Sequence, residues 1–218
     1  MFQDGADYPA AMQAPTFAAA ARRRGIQVIG PQAPQMTEKG YRALGASLRA
    51  RHVDGIFIAG NGDHSEDFIR GIRGSMGASV TLIASDLFAD GQDHGAAAVG
   101  MYIGGFYLTN PARQLPTAGQ RFMHRFSATQ PRGLDDGWVP YAAQAAEVLL
   151  AGIARSDGTR ASVTSQLLHI RVKDGILGTF GFDRNGDPTA SFVTISRLTR
   201  DPRSADQNVV ALVRVARR

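Results

Sequence analysis

Cysteine is absent from this 218-residue chain, so disulfides, thiolate nucleophiles and cysteine-ligated metals are excluded, a composition that suits exported and cytosolic proteins alike. Tryptophan occurs once, as Trp138 between Gly137 and Val139, and reads as a helix-start anchor rather than a stacking platform. No apolar run approaches the roughly 18 residues of a membrane span, and Met1 is not followed by the basic segment and apolar core of a signal peptide. Also missing are a Gly-x-Ser-x-Gly elbow, a Walker-type phosphate loop and a Gly-x-Gly-x-x-Gly fingerprint, which leaves no legible nucleophile–base pair and no nucleotide cradle.

What is present is a globular composition, 44% hydrophobic and 20% charged, enough for one sizeable core or two small ones. Lysine and arginine number 24 against 19 acidic residues, a formal charge of +5. The cations gather at Arg22-Arg23-Arg24, at Arg49 with Arg51, and at Arg217-Arg218. Those clusters fall mostly at helix ends, where positive charge meets the negative end of the dipole. No basic stripe is interleaved with aromatics, so the charge reads as solvated faces and not as a nucleic-acid surface.

Periodicity along the chain alternates strand and helix. An alanine-rich helix is expected over 10–24, stopped by Gly25, then a short buried strand over Ile26–Ile29 ended by Gly30-Pro31. Thr37 is placed to cap a helix carrying Tyr41, Leu44 and Leu48. Strands follow at Ile56–Ala59, Val80–Ala84 and Val99–Ile103, with a helix between the first two that lines up Phe68, Ile69, Ile72 and Met76. Such alternation predicts a parallel sheet flanked by helices. Past Phe106 the pattern turns helical, over about 117–129 with Phe122 and Phe126, and over about 139–155 with Val148, Leu149 and Ile153. Strands return near 179–182, 191–198 and 208–215.

The tract Gly178-Thr179-Phe180-Gly181-Phe182-Asp183-Arg184-Asn185-Gly186-Asp187-Pro188 admits two readings. Asp183, Asn185 and Asp187 at alternate positions begin like an EF-hand calcium loop. The continuation fails, because Pro188 stands where that loop needs glycine and Thr194 where it needs glutamate. A strand followed by an Asp/Asn/Gly turn, with Asn185-Gly186 suited to positive φ, fits better. His64 with Glu66 and Asp67, and Asp90-x-x-Asp93-His94, have metal-like residue types without closed zinc-ligand spacing, and read as solvated loops. No catalytic residue, metal site or cofactor is assigned.

The same tract, as G-x-x-x-F-D-x-x-G-D, resembles the extracellular ligand-binding receptors of periplasmic binding protein type I, the leucine/isoleucine/valine-binding proteins of ABC importers among them. The likeness continues in order along the chain. Asp4-x-x-x-Tyr8 resembles the family's D-x-x-Y-G, and Thr37-Glu38-Lys39-Gly40-Tyr41 its T-D-F helix start. Val53-Asp54-Gly55-Ile56-Phe57-Ile58-Ala59-Gly60 resembles its D-x-V-x-x-x-G strand, and Phe68-Ile69-Arg70-Gly71-Ile72-Arg73 its F-x-x-Q-A-R helix. Val99-Gly100-Met101-Tyr102 matches A-E-G-V-Y, and Tyr141-Ala142-Ala143 matches Y-D-A.

The resemblance implies an α/β, periplasmic binding protein type I-like parallel sheet flanked by helices, the second lobe plus part of the first. Residues 1–106 would form ligand-binding lobe 2, 107–177 a helical segment belonging to lobe 1, and 178–218 the returning strands of lobe 2 with the C-terminal tail. Family members carry most of a first lobe before the D-x-x-Y-G element, whereas only Met1, Phe2 and Gln3 precede it here, so the chain is expected to be N-terminally truncated. The helices of 112–170 would then lack the sheet that covers them, with self-association through 112–170 as the expected consequence.

Open parallel sheets bind ligands beyond the carboxyl ends of their strands. Ligand-binding positions are therefore sought at Tyr8, at Asn61 and Gly62, and at Asp86 with Phe88, each just past an expected strand. By the resemblance Tyr8 flanks the ligand, Asn61 or Gly62 occupies an often aromatic closing position, and Asp86 pairs with an ammonium. An ammonium withdrawn from water needs an anionic acceptor, which gives Asp86 its physical warrant; the plainer alternative is a helix cap. Tyr8 can equally be a packing tyrosine. The implied function is a non-catalytic solute-binding component of an ABC transporter, holding an amino acid or similar small polar solute between two lobes, with an ABC permease as partner and an extracytoplasmic location. A ligand-sensing domain of a regulatory protein and an α/β enzyme are the competing readings.

Overall fold

The computed structural model describes residues 2–3, 8–32, 35, 37–60, 65–85, 95–105, 114–130, 137–199 and 208–216. Two compact units emerge, Met1–Gly105 with Ile195–Ala211 and Phe106–Thr194 with Leu212–Arg218.

The first unit alternates β1 (Phe2–Gln3), α1 (Tyr8–Arg23), α2 (Glu38–Ala50), β2 (Gly55–Ala59), α3 (Ser65–Met76), β3 (Thr81–Ser85), a 3-10 turn at Ala96–Ala98 and β4 (Tyr102–Gly105). Its sheet runs β1-β2-β3-β4 and continues with β7 (Ala190–Arg197) and β8 (Asn208–Ala216), of which Ile195–Arg197 and Asn208–Ala211 belong to this unit. β1 through β4 are parallel, with Phe2 opposite Ile58, Ile58 opposite Ala84, and Ala84 opposite Ile103. Leu198, just past β7, exchanges backbone bonds with Gly100 and Met101 at 2.9 and 2.8 Å.

Strand alternation assigns the two faces. Ile56, Ile58, Leu82 and Ala84 bury against Tyr41 and Leu48 of α2 and Phe68, Ile69 and Ile72 of α3, with the Tyr41 and Phe68 rings edge to face at 5.3 Å. Phe57, on the opposite face, stacks on Phe17 of α1 at 3.9 Å, beside the close pair Ala14 and Ala59. Small residues on α1 let that helix lie near the sheet. Thr37 caps α2 as expected, its hydroxyl accepting from the Gly40 N–H at 3.1 Å. Arg73, at the end of α3, donates to the carbonyls of Ala78 and Val80, both at 2.6 Å, and fixes the turn into β3; partial burial holds its guanidinium below its ordinary pKa.

Two expectations need correction. Ile26–Ile29 is not a strand, and Ile26 is 58% exposed. The reason lies in the helix end: the Ile26 N–H bonds the Ala21 carbonyl at 3.1 Å and the Gly25 N–H bonds Arg22 at 3.0 Å, with Gly25 at φ +77°. That is a Schellman closure, which claims Ile26 as part of the cap. The strand expected to begin at Val99 begins at Tyr102 instead, because Gly100 takes φ +87° and turns the chain out of the 3-10 segment first.

The second unit holds α4 (Thr117–Thr129), α5 (Val139–Ala154), α6 (Arg160–His169) and an antiparallel hairpin of β5 (Arg171–Gly175) and β6 (Gly178–Gly181). Leu115 and Met123 form its small core, with Phe122, Val139, Tyr141 and Leu177 packed around them. The two long helices match the sequence expectation, whereas α6 had no separate apolar signal. Its start is set locally: the Thr159 hydroxyl accepts from the Ser162 N–H at 3.2 Å, and Asp157 in turn accepts from both the N–H and the hydroxyl of Thr159.

Candidate functional site

The parallel register of the first unit brings the carboxyl ends of its strands to one edge. Gln3 of β1 lies opposite Ala59 of β2, and Ser85 of β3 lies opposite Gly104 of β4. Sequence-expected site residues follow these ends directly. Tyr8 is the first residue of α1, five positions past Gln3, and only its backbone is described. Asn61 and Gly62 come two and three residues after Ala59, Asp86 and Phe88 one and three after Ser85; all four lie outside the described residues. The same holds for His64, Asp90, Asp93 and His94.

Residues flanking those positions show how the edge is built. Gly60, at φ +101°, turns the chain out of β2 in a conformation that a side chain would oppose. Its N–H is donated to the Gln13 side-chain oxygen at 3.2 Å, so α1 holds the exit of β2 from below. Sequence reading had not singled out Gln13; its one signal was a polar side chain in the run of alanines. At the end of β3 the Ser85 hydroxyl is buried with no hydrogen-bond partner among the described residues. An orphaned buried hydroxyl costs about 1–3 kcal/mol unless something else bonds it. Ser85 ends its strand at the edge where parallel sheets bind ligands, and Asp86 is the next residue in the sequence.

The candidate acidic clusters resolve as local structure where they are described. Glu66 and Asp67, in the first turn of α3, pair with Arg70, Glu66 at 3.6 Å. Asp183 is the hub of a turn: its carboxylate accepts from the N–H groups of Asn185 and Asp187 at 2.9 and 3.0 Å, and its own N–H bonds the Asp187 carbonyl at 2.9 Å. Gly186 takes φ +82° there, while Asn185 does not take positive φ. The carboxylate is spent on the backbone, as the turn reading requires. No group of three or more His, Cys, Asp and Glu suited to a metal occurs among the described residues.

A separate cavity of about 440 Å³ lies wholly in the second unit, lined by Tyr141, Val148, Leu149, Leu167, Phe180 and Phe182 among others. Burial there raises the Tyr141 phenol above its ordinary pKa.

Comparison with known proteins gives a consistent result. The family model described as periplasmic binding protein matches residues 1–201. No curated protein sequence matches the chain. Among solved structures, it is similar to a leucine binding protein, LivK, from Thermotoga maritima, at 18% identity and a TM-score of 0.75, over 97% of this chain and 59% of that one. It is likewise similar to an ABC transporter substrate-binding protein from Desulfitobacterium hafniense in complex with Leu, at 22% identity and a TM-score of 0.73, over 91% and 57%. A solute-binding protein from R. palustris in complex with benzoate aligns at 15% identity and a TM-score of 0.65, over 99% and 58%. The chain thus spans under three-fifths of the length of these three structures.

Proposed function

We propose, because the chain belongs to the periplasmic binding protein family, that it is the solute-binding component of an ABC transporter or the greater part of one, acting by ligand capture without catalysis. The observation that carries the reading is the shared edge of β1 to β4, where four parallel strands end together beside a Ser85 hydroxyl that has no partner among the described residues. Residues 1–106 serve as one ligand-binding lobe, 107–177 belong to the opposing lobe, and 178–218 return to the first. The solute is an amino acid or a similar small polar molecule. Asp86 accepts its ammonium, Tyr8 flanks it, Asn61 or Gly62 closes over its side chain, and Phe88 is a further contact. Hinge closure of two lobes exchanges solvent for these contacts. The partner is an ABC permease, and the location is extracytoplasmic.

Support for a small solute comes from the relatives, whose bound molecules include Leu and benzoate. The two differ in the feature that matters: leucine carries an ammonium and benzoate does not. Calorimetric titration of both, into a two-lobe protein that contains this chain, tests the assignment. An amino acid is expected to bind, and Asp86→Ala to weaken it by about 2–5 kcal/mol, the cost of leaving one partner of a buried charge pair alone. Tight benzoate binding that ignores Asp86, with no amino acid bound, would overturn the ammonium reading.

A further inference from the structure

A second concavity, of about 560 Å³, opens in the second unit between α4, the C-terminal half of α5 and the β5–β6 hairpin. Its charge is one-sided. Arg121 and Arg125 stand one turn apart on α4 and form one wall. Arg171 and Lys173 of β5 line another side, and Arg155 at the end of α5 adds a fifth cation. Among the described residues two carboxylates, Glu147 and Asp174, share the lining.

None of those cations forms an ion pair among the described residues. The ion pairs among the described residues belong to Arg42 and Arg70, far along the chain in the first unit. Glu147 is exposed and accepts from the Gln144 amide at 3.0 Å, while Gln144 is itself 3% exposed. Arg171 is steered by the fold: its guanidinium lies over Gly181, where a Cβ would collide with Nη1. Val148, Ile170 and Ile176 supply an apolar floor beneath. Like charges gathered around one concavity above low-dielectric packing repel one another and focus the field into it.

We propose that this cleft is a binding site for a small polyanion of the phosphate class, separate from the solute edge of the first unit. Guanidinium forks match phosphate oxygens in pairs, which suits four arginines around one concavity. The volume lies within the roughly 300–1,000 Å³ of small-molecule sites. A flat membrane would touch only the rim, whereas a free anion reaches both walls.

Titration of pyrophosphate into this chain by calorimetry at low ionic strength tests the proposal. One site is expected, and the double variant Arg121→Gln/Arg171→Gln should weaken it at least about tenfold, as loss of charge-assisted contacts does. Arg22→Gln/Arg23→Gln, which removes the same charge from the exposed end of α1, should leave affinity within about twofold, since screened charges outside the site contribute little. Asp86→Ala should also leave it unchanged, which separates this site from the solute site. Failure of pyrophosphate to bind, or equal weakening by both double variants, would overturn the proposal. So would binding of phosphatidylglycerol vesicles that pyrophosphate does not displace.

Discussion

Gly71 of α3 lies directly against Tyr41 of α2: a Cβ at Gly71 would stand 2.7 Å from the Cβ of Tyr41. A second glycine makes the same kind of approach, since a Cβ at Gly45 of α2 would stand 2.7 Å from the Cβ of Ser75. The two helices cover one face of the sheet at a separation that only glycine permits, and their closeness lets Tyr41, Phe68 and Ile72 reach one core.

Gly71→Ala is therefore expected to destabilise the first unit by about 1–3 kcal/mol, the usual cost of overpacking. Gly74→Ala, one turn on, meets nothing within 4 Å and should instead be neutral or stabilising by up to about 1 kcal/mol, through helix propensity. Urea unfolding of the two variants side by side checks both. Equal effects at the two positions would contradict the close-approach explanation.

Gln144 links α5 to the β5–β6 turn, its side-chain oxygen accepting from the Leu177 N–H at 3.1 Å. Gln144→Leu leaves that amide without its acceptor, and a loss of about 1–3 kcal/mol is expected. Hydrogen exchange at Leu177 should accelerate in the variant. An unchanged exchange rate would show that the bond contributes nothing.

Asp157 gives the second unit a pH dependence. Hydrogen bonds from the Thr159 hydroxyl, then the Thr159 N–H, hold its carboxyl below the ordinary 3.8. Because the folded value lies lower than the unfolded one, the stabilisation is complete above 3.8 and is lost as the pH falls through the folded value. A carboxyl NMR titration should place Asp157 below 3.8, and Thr159→Ala should move it upward. A titration at or above 3.8 in the parent chain would sink the account.

On α5, Leu149 and Ile153 are each 47% exposed and Leu150 is 65% exposed, whereas Val148 is buried. Each such side chain yields about 1.5–3 kcal/mol when fully covered. We expect the isolated chain to self-associate through the 112–170 region, with Leu150→Glu/Ile153→Lys shifting light-scattering mass toward the monomer. A monodisperse monomer at high concentration would refute this.

The sequence by itself determined the elements whose burial is one-sided. β2, β3 and α3 were legible because their apolar spacing repeats at the period of the element, and Thr37 because a cap needs only its own turn. The long helices α4 and α5 followed in the same way, and family likeness across the chain supplied the architecture. Ile26–Ile29 misled because three apolar residues in a run of four do not say whether the N–H groups of the run face a partner strand or the preceding helix, and Ala21 claimed the first of them. Tertiary structure alone decided what depends on residues far apart in the chain. The parallel register that levels the strand ends, the 2.7 Å approach of Gly71 to Tyr41, the hold of Gln13 on Gly60 and the convergence of arginines from α4, α5 and β5 are all of this kind. A one-dimensional pattern records which side of an element is apolar; which partner that side meets, and at what distance, is set by the packing of the whole.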